Sequence, residues 1–313
     1  MKETLKRKII LDCDPGHDDA IALLLAAGNP NIELVGITTV SGNAEVDKVT
    51  VNALKVCEIA QLRNIPVAKG SGQPLIRTLE NAPSIHGDSG MDGPELPTPS
   101  LKEIDQHAVG FIIEKLMESE GDITLVPVGP LTNIATAMRL EPAILPKIQE
   151  IVLMGGGSFG NWTPAAEFNI FADADAAKVV FESGVPITMM GLDLTHQALA
   201  TNEVCKRIAE IDNSAAQFVN ELLIFFRKTY LEVFGFEHPP VHDACSVAYV
   251  IDPTVVETKK LRVDIETNSE LTYGMTVIDY NGVTGKEPNV NVGIKLDHKK
   301  FWDLVAESLQ NLK

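Results

Sequence analysis

The stretch Asp12-Cys13-Asp14-Pro15-Gly16-His17-Asp18-Asp19 crowds four carboxylates into one turn of chain. Like charges a few ångströms apart raise one another's pKa unless a cation or a shared proton compensates. Helix capping employs one or two of them, because carboxylates accept the free N–H groups of a first turn and suit its dipole. Four exceed that need. A hard divalent cation held by carboxylate oxygens, calcium or magnesium, is the simplest compensator.

Two further stretches carry chemistry. Asn161, Glu167 and Asn169 combine amides, which donate and accept, with a carboxylate able to accept from two hydroxyls, a set suited to a polyhydroxylated ligand. His242-Asp243 stands just before an apolar helix, where Asp243 serves either as a cap or as a site residue. His86 lies among glycines in Ile85-His86-Gly87-Asp88-Ser89-Gly90, within a Gly-, Pro- and Ser-rich segment from 71 to 100 that is long enough to suggest a functional loop. Gly155-Gly156-Gly157 permits close approach of a ligand to the backbone. It lacks the spacing of either glycine-rich phosphate fingerprint.

These groups need rigid carriers. Ile9-Ile10-Leu11 reads as a buried strand and Ala20 to Leu25 as the helix after it. Strands are then expected at 32–40, 66–70, 123–128, 150–154 and 186–190. Helices are expected between them at 45–60, 101–118, through Asn133, Ala137 and Leu140, and at 173–182. Helices at 202–211 and 214–234 follow, then the apolar helix from Ala244. Alternation in 262–267 and 271–277 predicts antiparallel strands, with a closing helix at 301–312. The pattern implies a single α/β domain over 1–313: a doubly wound, mostly parallel sheet flanked by helices, with a small antiparallel section near the C-terminus. In such sheets ligands lie beyond the carboxyl ends of the strands, where the aspartates, Asn43, Val128 and Gly155 all fall.

Hydrophobic residues make up 45% and charged residues 22% of the 313, which suffices for a large core. A formal net charge of −17 excludes nucleic acid as a partner, since such binding needs basic patches. Cys13, Cys57, Cys205 and Cys245 are scattered without metal-site or disulfide-framework spacing, which fits buried thiols in a reducing cytoplasm. No apolar run reaches membrane-spanning length and MKETLKRK carries no signal-like apolar region, so no membrane is expected.

Taken in order, Asp12 to Asp19, Val152-Leu153-Met154-Gly155-Gly156-Gly157, Ala166-Glu167-Phe168-Asn169 and Val241-His242-Asp243 resemble the inosine-uridine preferring nucleoside hydrolases. The resemblance runs from Lys8 onward and includes Ile85-His86-Gly87 and Leu192 to Gln197. It implies one bound Ca2+ and hydrolysis of the N-glycosidic bond of ribonucleosides to ribose and base. It assigns Asp14, Asp19, Asp243 and the Val128 carbonyl to the calcium, and Asp14 also to the general base. It places Asp18, Asn43, Asn161, Glu167 and Asn169 on ribose hydroxyls, with Met154 and Phe168 as apolar walls. Tyr230 and His86 fall beside the base, and Phe234 in a variable loop over it. His242 falls beside the leaving base, where an ordinary histidine pKa near ~6.5 suits proton donation. The resemblance also implies a homo-oligomer, a tetramer. An oxocarbenium-like ribosyl, stabilised by nearby anions and attacked by activated water, is chemistry that clustered aspartates serve.

Two other readings share parts of this pattern. A magnesium phosphatase of the haloacid dehalogenase type also follows its first strand with Asp-x-Asp, but needs Thr or Val where Gly16 stands and a phosphate-holding lysine. A non-catalytic calcium-dependent sugar-binding module would use the same carboxylates and amides without turnover.

Overall fold

The computed structural model describes residues 6–312; residues 1–5, on which most of the reading of MKETLKRK falls, and residue 313 lie outside the described residues. The chain begins β1 (Arg7–Cys13), α1 (His17–Gly28), β2 (Ile32–Thr39), α2 (Val46–Ile59), β3 (Val67–Lys69) and a short α3 (Pro83–His86). It continues with α4 (Ala108–Glu118), β4 (Ile123–Pro127), α5 (Thr132–Leu140), β5 (Ile148–Met154), α6 (Phe168–Ala172), α7 (Ala174–Phe181) and β6 (Ile187–Met190). The remainder is α8 (Leu192–Thr195), α9 (Asn202–Ala209), α10 (Ser214–Phe234), α11 (Ala244–Ile251), β7 (Val256–Ile265), β8 (Thr276–Asp279), β9 (Val290–Leu296) and α12 (His298–Asn311).

The nine strands of the described residues form one sheet in the order β3-β2-β1-β4-β5-β6-β9-β7-β8. Pairing is parallel from β3 through to β9, and antiparallel where β7 meets β9 and β8. The expected mostly parallel, helix-flanked sheet is therefore present, and its antiparallel section is joined to the main sheet because β9 pairs parallel with β6. Chain order reverses direction across the sheet between β1 and β4, which opens a crevice at their carboxyl ends.

Alternation along β1 divides its side chains between two cores. Ile9, Leu11 and Cys13 face the layer that contains the apolar residues of α1, α11 and α12, while Ile10 faces the layer of α4, α5 and α7. Helix α1 is buried from His17 to Ala26, as its unbroken apolar run demands. Truncating one of Leu23, Leu24 or Leu25 would cost about 2–5 kcal/mol.

Some boundaries differ from those expected. The helix expected from Leu101 starts at Ala108, where His107 caps it by accepting the Val109 N–H at 3.2 Å. The preceding chain is extended instead, with the Ile104 N–H donating to Val67 C=O at 2.9 Å alongside β3. The apolar residues of 271–275 do not form a strand: Leu271 is exposed, a turn returns the Gly274 N–H to Glu266 C=O, and β8 begins only at Thr276. Among the described residues no helix is long and apolar enough to cross a membrane.

Candidate active site

The carboxyl end of β1 delivers Asp14 to the crevice, but not Asp12. Asp12 lies on the Ile10 face, where one carboxylate oxygen accepts the Thr38 hydroxyl and Asn133 Nδ2 and burial pushes its pKa up to about 7. Three of the four crowded aspartates therefore remain at the site, and Asp243 restores the number. Asp14, Asp18, Asp19 and Asp243 are all buried.

A dense set of short-range bonds fixes this acidic wall. The Asp14 and Gly16 N–H groups donate to the two Asp19 oxygens at 3.1 and 3.0 Å, so Asp19 reaches back from the first turn of α1 to tie down its own loop. The Asn43 N–H donates to Asp14 Oδ2 at 2.7 Å, and Asn43 Nδ2 donates to Asp14 C=O and Asp19 Oδ2. Gly42 and Gly129 clamp the Asp14 carboxylate: a Cβ at either would stand 2.1 and 2.3 Å from its oxygens, so no larger residue fits. The His242 N–H donates to Asp18 Oδ2 at 3.3 Å. Asp243 occupies the N-cap position of α11, yet its side chain makes no capping bond, which leaves that carboxylate for the cluster.

Electrostatics demand a counter-charge. Burial raises the pKa of Asp14, Asp18, Asp19 and Asp243, with repulsion from neighbouring aspartates adding to it at Asp14, Asp18 and Asp243, and Asp18 stands at about 7. Among the described residues Asp14 Oδ1 is buried without any hydrogen-bond partner. Asp18, Asp19 and Asp243 each offer an oxygen within 4.8 Å of the others, an all-oxygen set that fits a hard divalent cation. This triad includes Asp18 rather than Asp14. Val128 lines the same cavity, and its carbonyl accepts from Asn169 Nδ2 at 2.8 Å.

Above the acidic floor is a cleft of about 530 Å³, open solvent at its mouth included. Asp18, Asn43, His86, Val128, Met154, Asn161, Glu167, Phe168, Asn169, Tyr230, His242 and Asp243 all line it, while Asp14 and Asp19 lie behind. The expected residues are thus brought together from eight segments of the chain. Glu167 is the N-cap of α6 and accepts from Asn169, Ile170 and Gly156 N–H groups at 2.9, 3.1 and 2.8 Å. Burial nevertheless outweighs these donors and pushes its pKa up to about 7. Asn161 Oδ1 accepts the Phe168 N–H at 2.9 Å, and Trp162 meets the Phe168 ring edge-on at 4.9 Å.

On the aromatic side, His242 is held at both nitrogens: Nδ1 lies 2.7 Å from Thr195 Oγ1 and Nε2 2.7 Å from Tyr230 Oη. Its pKa is not the ordinary value expected from sequence. Burial lowers it to about 3, so the ring is neutral at neutral pH, and the Tyr230 phenol is pushed well up. Sequence reasoning missed Thr195 and Phe226. Thr195 gave no signal beyond its place in a family motif, whereas Phe226 stands four residues before Tyr230 on α10, a spacing that puts both on one face.

A doubly wound sheet whose carboxyl edge carries buried aspartates beneath a half-polar, half-aromatic cleft defines a hydrolase site for a polyhydroxylated substrate with a planar group. The chain belongs to the family described as inosine-uridine preferring nucleoside hydrolase, whose pattern matches residues 9–303. It is 52% identical over 306 residues to a pyrimidine-specific ribonucleoside hydrolase, RihB, of Escherichia coli O157:H7, covering 97% of each chain. Its fold is similar to that of a purine-preferring ribonucleoside hydrolase from Gardnerella vaginalis, with a TM-score of 0.91, 33% identity and coverage of 97% and 98%. A plant nucleoside hydrolase superposes with a TM-score of 0.90 at 30% identity, covering 97% and 99%. The protein is therefore a nucleoside hydrolase acting on the N-ribosyl bond, and the phosphatase and sugar-binding readings fall away.

Proposed function

We propose that this enzyme hydrolyses pyrimidine ribonucleosides, uridine and cytidine, with inosine as a poorer substrate, to ribose and free base in nucleoside salvage, and that it requires calcium. The observation that carries the metal reading is the buried, unpartnered Asp14 Oδ1 beside three converging carboxylates. Asp14, Asp19, Asp243 and the Val128 carbonyl would hold the ion, with Asp18 close enough to share it. When bound, calcium would neutralise the cluster and lower the pKa of the attacking water. The pyrimidine preference rests on the relative at 52% identity, which outweighs the purine-preferring neighbour at 33%.

The chain's own groups divide the remaining work. Asp14, with one oxygen free, takes the proton from the water. Asp18, Asn43, Asn161, Glu167 and Asn169 hold ribose hydroxyls, and their anionic members stabilise the positive charge that develops on the ribosyl ring. Met154 and Phe168 wall the sugar and exclude water. Beside the base, Thr195 and Tyr230 bracket the two nitrogens of His242; in the tautomer in which Thr195 donates to Nδ1, Nε2–H donates to Tyr230 Oη and the phenol proton is free to serve the departing base. This arrangement serves the leaving group without an imidazolium.

The sheet runs from β1 through to β9, near the two ends of the chain, which supports one domain over 1–313. A cytoplasmic location fits the four free cysteines. A closed homotetramer is supported by exposed Ile224, Leu231 and Val233 on α10, and light scattering at working concentration measures it.

The deciding assay measures ribose released from uridine, cytidine and inosine by enzyme stripped with chelator, with and without added calcium. Calcium-restored activity, fastest on the pyrimidine nucleosides, is expected. Full activity after stripping would remove the metal assignment, and a faster rate on inosine would remove the pyrimidine preference.

A further inference from the structure

The run Gly155-Gly156-Gly157, whose composition suggests close approach of a ligand, plays no part in the mechanism above. All three residues are buried, and none of them lines the cleft. Their φ angles of +158°, +74° and +154° lie on the side that L side chains avoid, so the run has no side chains of its own to fix its path. Glycine loses more conformational freedom on folding than any other residue, and bonds from outside the run must hold it.

Two successive peptide planes of this loop are each tied at both ends. In the plane between Gly156 and Gly157, the Gly156 carbonyl accepts the Leu192 N–H at 2.8 Å and the Gly157 N–H donates to Thr276 Oγ1 at 2.8 Å. In the next plane, the Gly157 carbonyl accepts the Thr276 hydroxyl at 2.6 Å and the Ser158 N–H donates to Asp193 Oδ2 at 2.7 Å. Among the described residues Thr276 is the one side chain that bonds to both planes. It stands at the start of β8, 2% exposed and paired with Ile265 of β7, and its methyl group lies 2.6 Å from where a Cβ on Gly156 would stand. The N–H just before the tied planes, that of Gly156, donates to Glu167 Oε2 at 2.8 Å. The other two donors to Glu167, Asn169 and Ile170, belong to its own helix α6, so Gly156 is the donor that ties this carboxylate to the sheet.

We propose that Thr276 is a positioning residue for the sugar end of the cleft: by holding Gly157 it keeps the Gly156 N–H on Glu167, and so sets the carboxylate that meets the ribose. The antiparallel section β7–β8 contributes no residue to the cleft lining, and through Thr276 it acts on substrate binding from behind. Without the hydroxyl, the buried Gly157 N–H and C=O lose their partner, and the glycines must move to find others, since buried backbone groups do not stay unpaired. The bearing on ribose rests on the nucleoside hydrolase reading of Glu167; the control of the loop does not.

The test has two arms. Thr276→Val keeps the branched shape and removes the hydroxyl, and Thr276→Ser keeps the hydroxyl. Hydrogen exchange read by mass spectrometry should show the peptide over 155–158 losing protection in Thr276→Val and retaining it in Thr276→Ser, with the rest of the chain unchanged. Unaltered protection in the valine variant, or a loss spread over the whole chain, overturns the positioning role whatever Glu167 binds. In the second arm, kcat/KM for uridine should fall about tenfold in Thr276→Val, the factor that one hydrogen bond to a charged group is worth, and stay within about twofold of wild type in Thr276→Ser. In a Glu167→Ala background, where the Gly156 N–H has no carboxylate to meet, Thr276→Val should cost less than about twofold, because residues that act as one unit are not additive. Equal losses in both backgrounds overturn the route through Glu167. A freed loop with undiminished kcat/KM overturns the link to the sugar, and the fault would then lie in the reading of Glu167 rather than in the control of the loop.

Discussion

The acidic wall of the cleft is cross-linked by backbone hydrogen bonds over a short span of chain, whereas the aromatic wall is assembled from side chains remote in sequence. Asp14, Asp19 and Asn43 lock one another through N–H donors within thirty residues. His86, Thr195, Phe226, Tyr230 and His242 meet only because α3, α8, α10 and the start of α11 converge. The first wall concentrates like charge in a buried place, where removing one group changes the charge balance of all. The second stacks apolar rings, and its outer member Phe234 is 36% exposed at the end of α10, so its contributions are graded. Substitutions on the acidic wall should therefore act nearly all-or-none, and those on the aromatic wall by degrees.

The largest effect is expected for Asp19→Ala. It removes the acceptor of two loop N–H groups and of Asn43, and one member of the oxygen triad. Calcium binding by calorimetry and uridine hydrolysis should be lost together, beyond the ~10²–10⁴ expected for a lone general base, while circular dichroism stays native. A variant that keeps both full calcium binding and wild-type turnover would refute the site. Asp14→Asn should come next. It preserves shape and the Asn43 contact but removes the base, so kcat should fall by roughly 10²–10⁴. A fall of less than about threefold would move the base role to another group.

The two walls also differ in how far they could be read from sequence. Four aspartates in one motif announce a buried charge cluster directly, and the strand before them and helix after them follow from apolar runs. What was not legible is which aspartate turns away. Asp12 leaves the cluster because strand alternation puts it on the Ile10 face, where Thr38 and Asn133 receive it, and those partners come from β2 and α5. Whether Asp243 caps α11 is equally illegible in the sequence, and the structure shows no capping bond from it. On the aromatic side, only the resemblance to a family brought Tyr230 and His242 together, because no local spacing links them. The depressed pKa of His242 depends on burial by segments distant in sequence, and an ordinary value was the natural expectation. The late start of α4 has a similar origin, since the extended chain before it is held by bonding of Ile104 to Val67.

A third prediction probes the aromatic wall. His242→Ala breaks the chain of contacts from Thr195 to Tyr230. Hydrolysis of uridine should fall by about 10², toward the low end for a lost proton donor. Hydrolysis of a nitrophenyl riboside, whose leaving group needs no proton, should change far less. An equal loss on both substrates would reduce His242 to a residue that shapes the cleft.

The smallest effect, and the sharpest check on the contrast, is expected at Glu167, which is buried like the aspartates but stands apart from them and accepts three backbone N–H groups. Its pKa of about 7 means that the folded protein holds this proton through a pH window in which the unfolded chain, near 4.5, has released it. Stability from this group is therefore fully present below about pH 4.5 and is lost as pH rises through about 7, by up to roughly 3 kcal/mol. Glu167→Gln removes that dependence, so the stability difference between wild type and variant in urea unfolding should shift in favour of the variant as pH rises across the window. Activity runs the other way. The carboxylate, not the acid, accepts from ribose hydroxyls, so wild-type kcat/KM should decline as pH falls below about 7, and the variant should lose this step while running about tenfold slower at pH 8. If the variant keeps the wild-type activity profile, the group that titrates near neutrality belongs to the aspartate cluster, and the boundary between a coupled acidic wall and independent outlying carboxylates has to be redrawn.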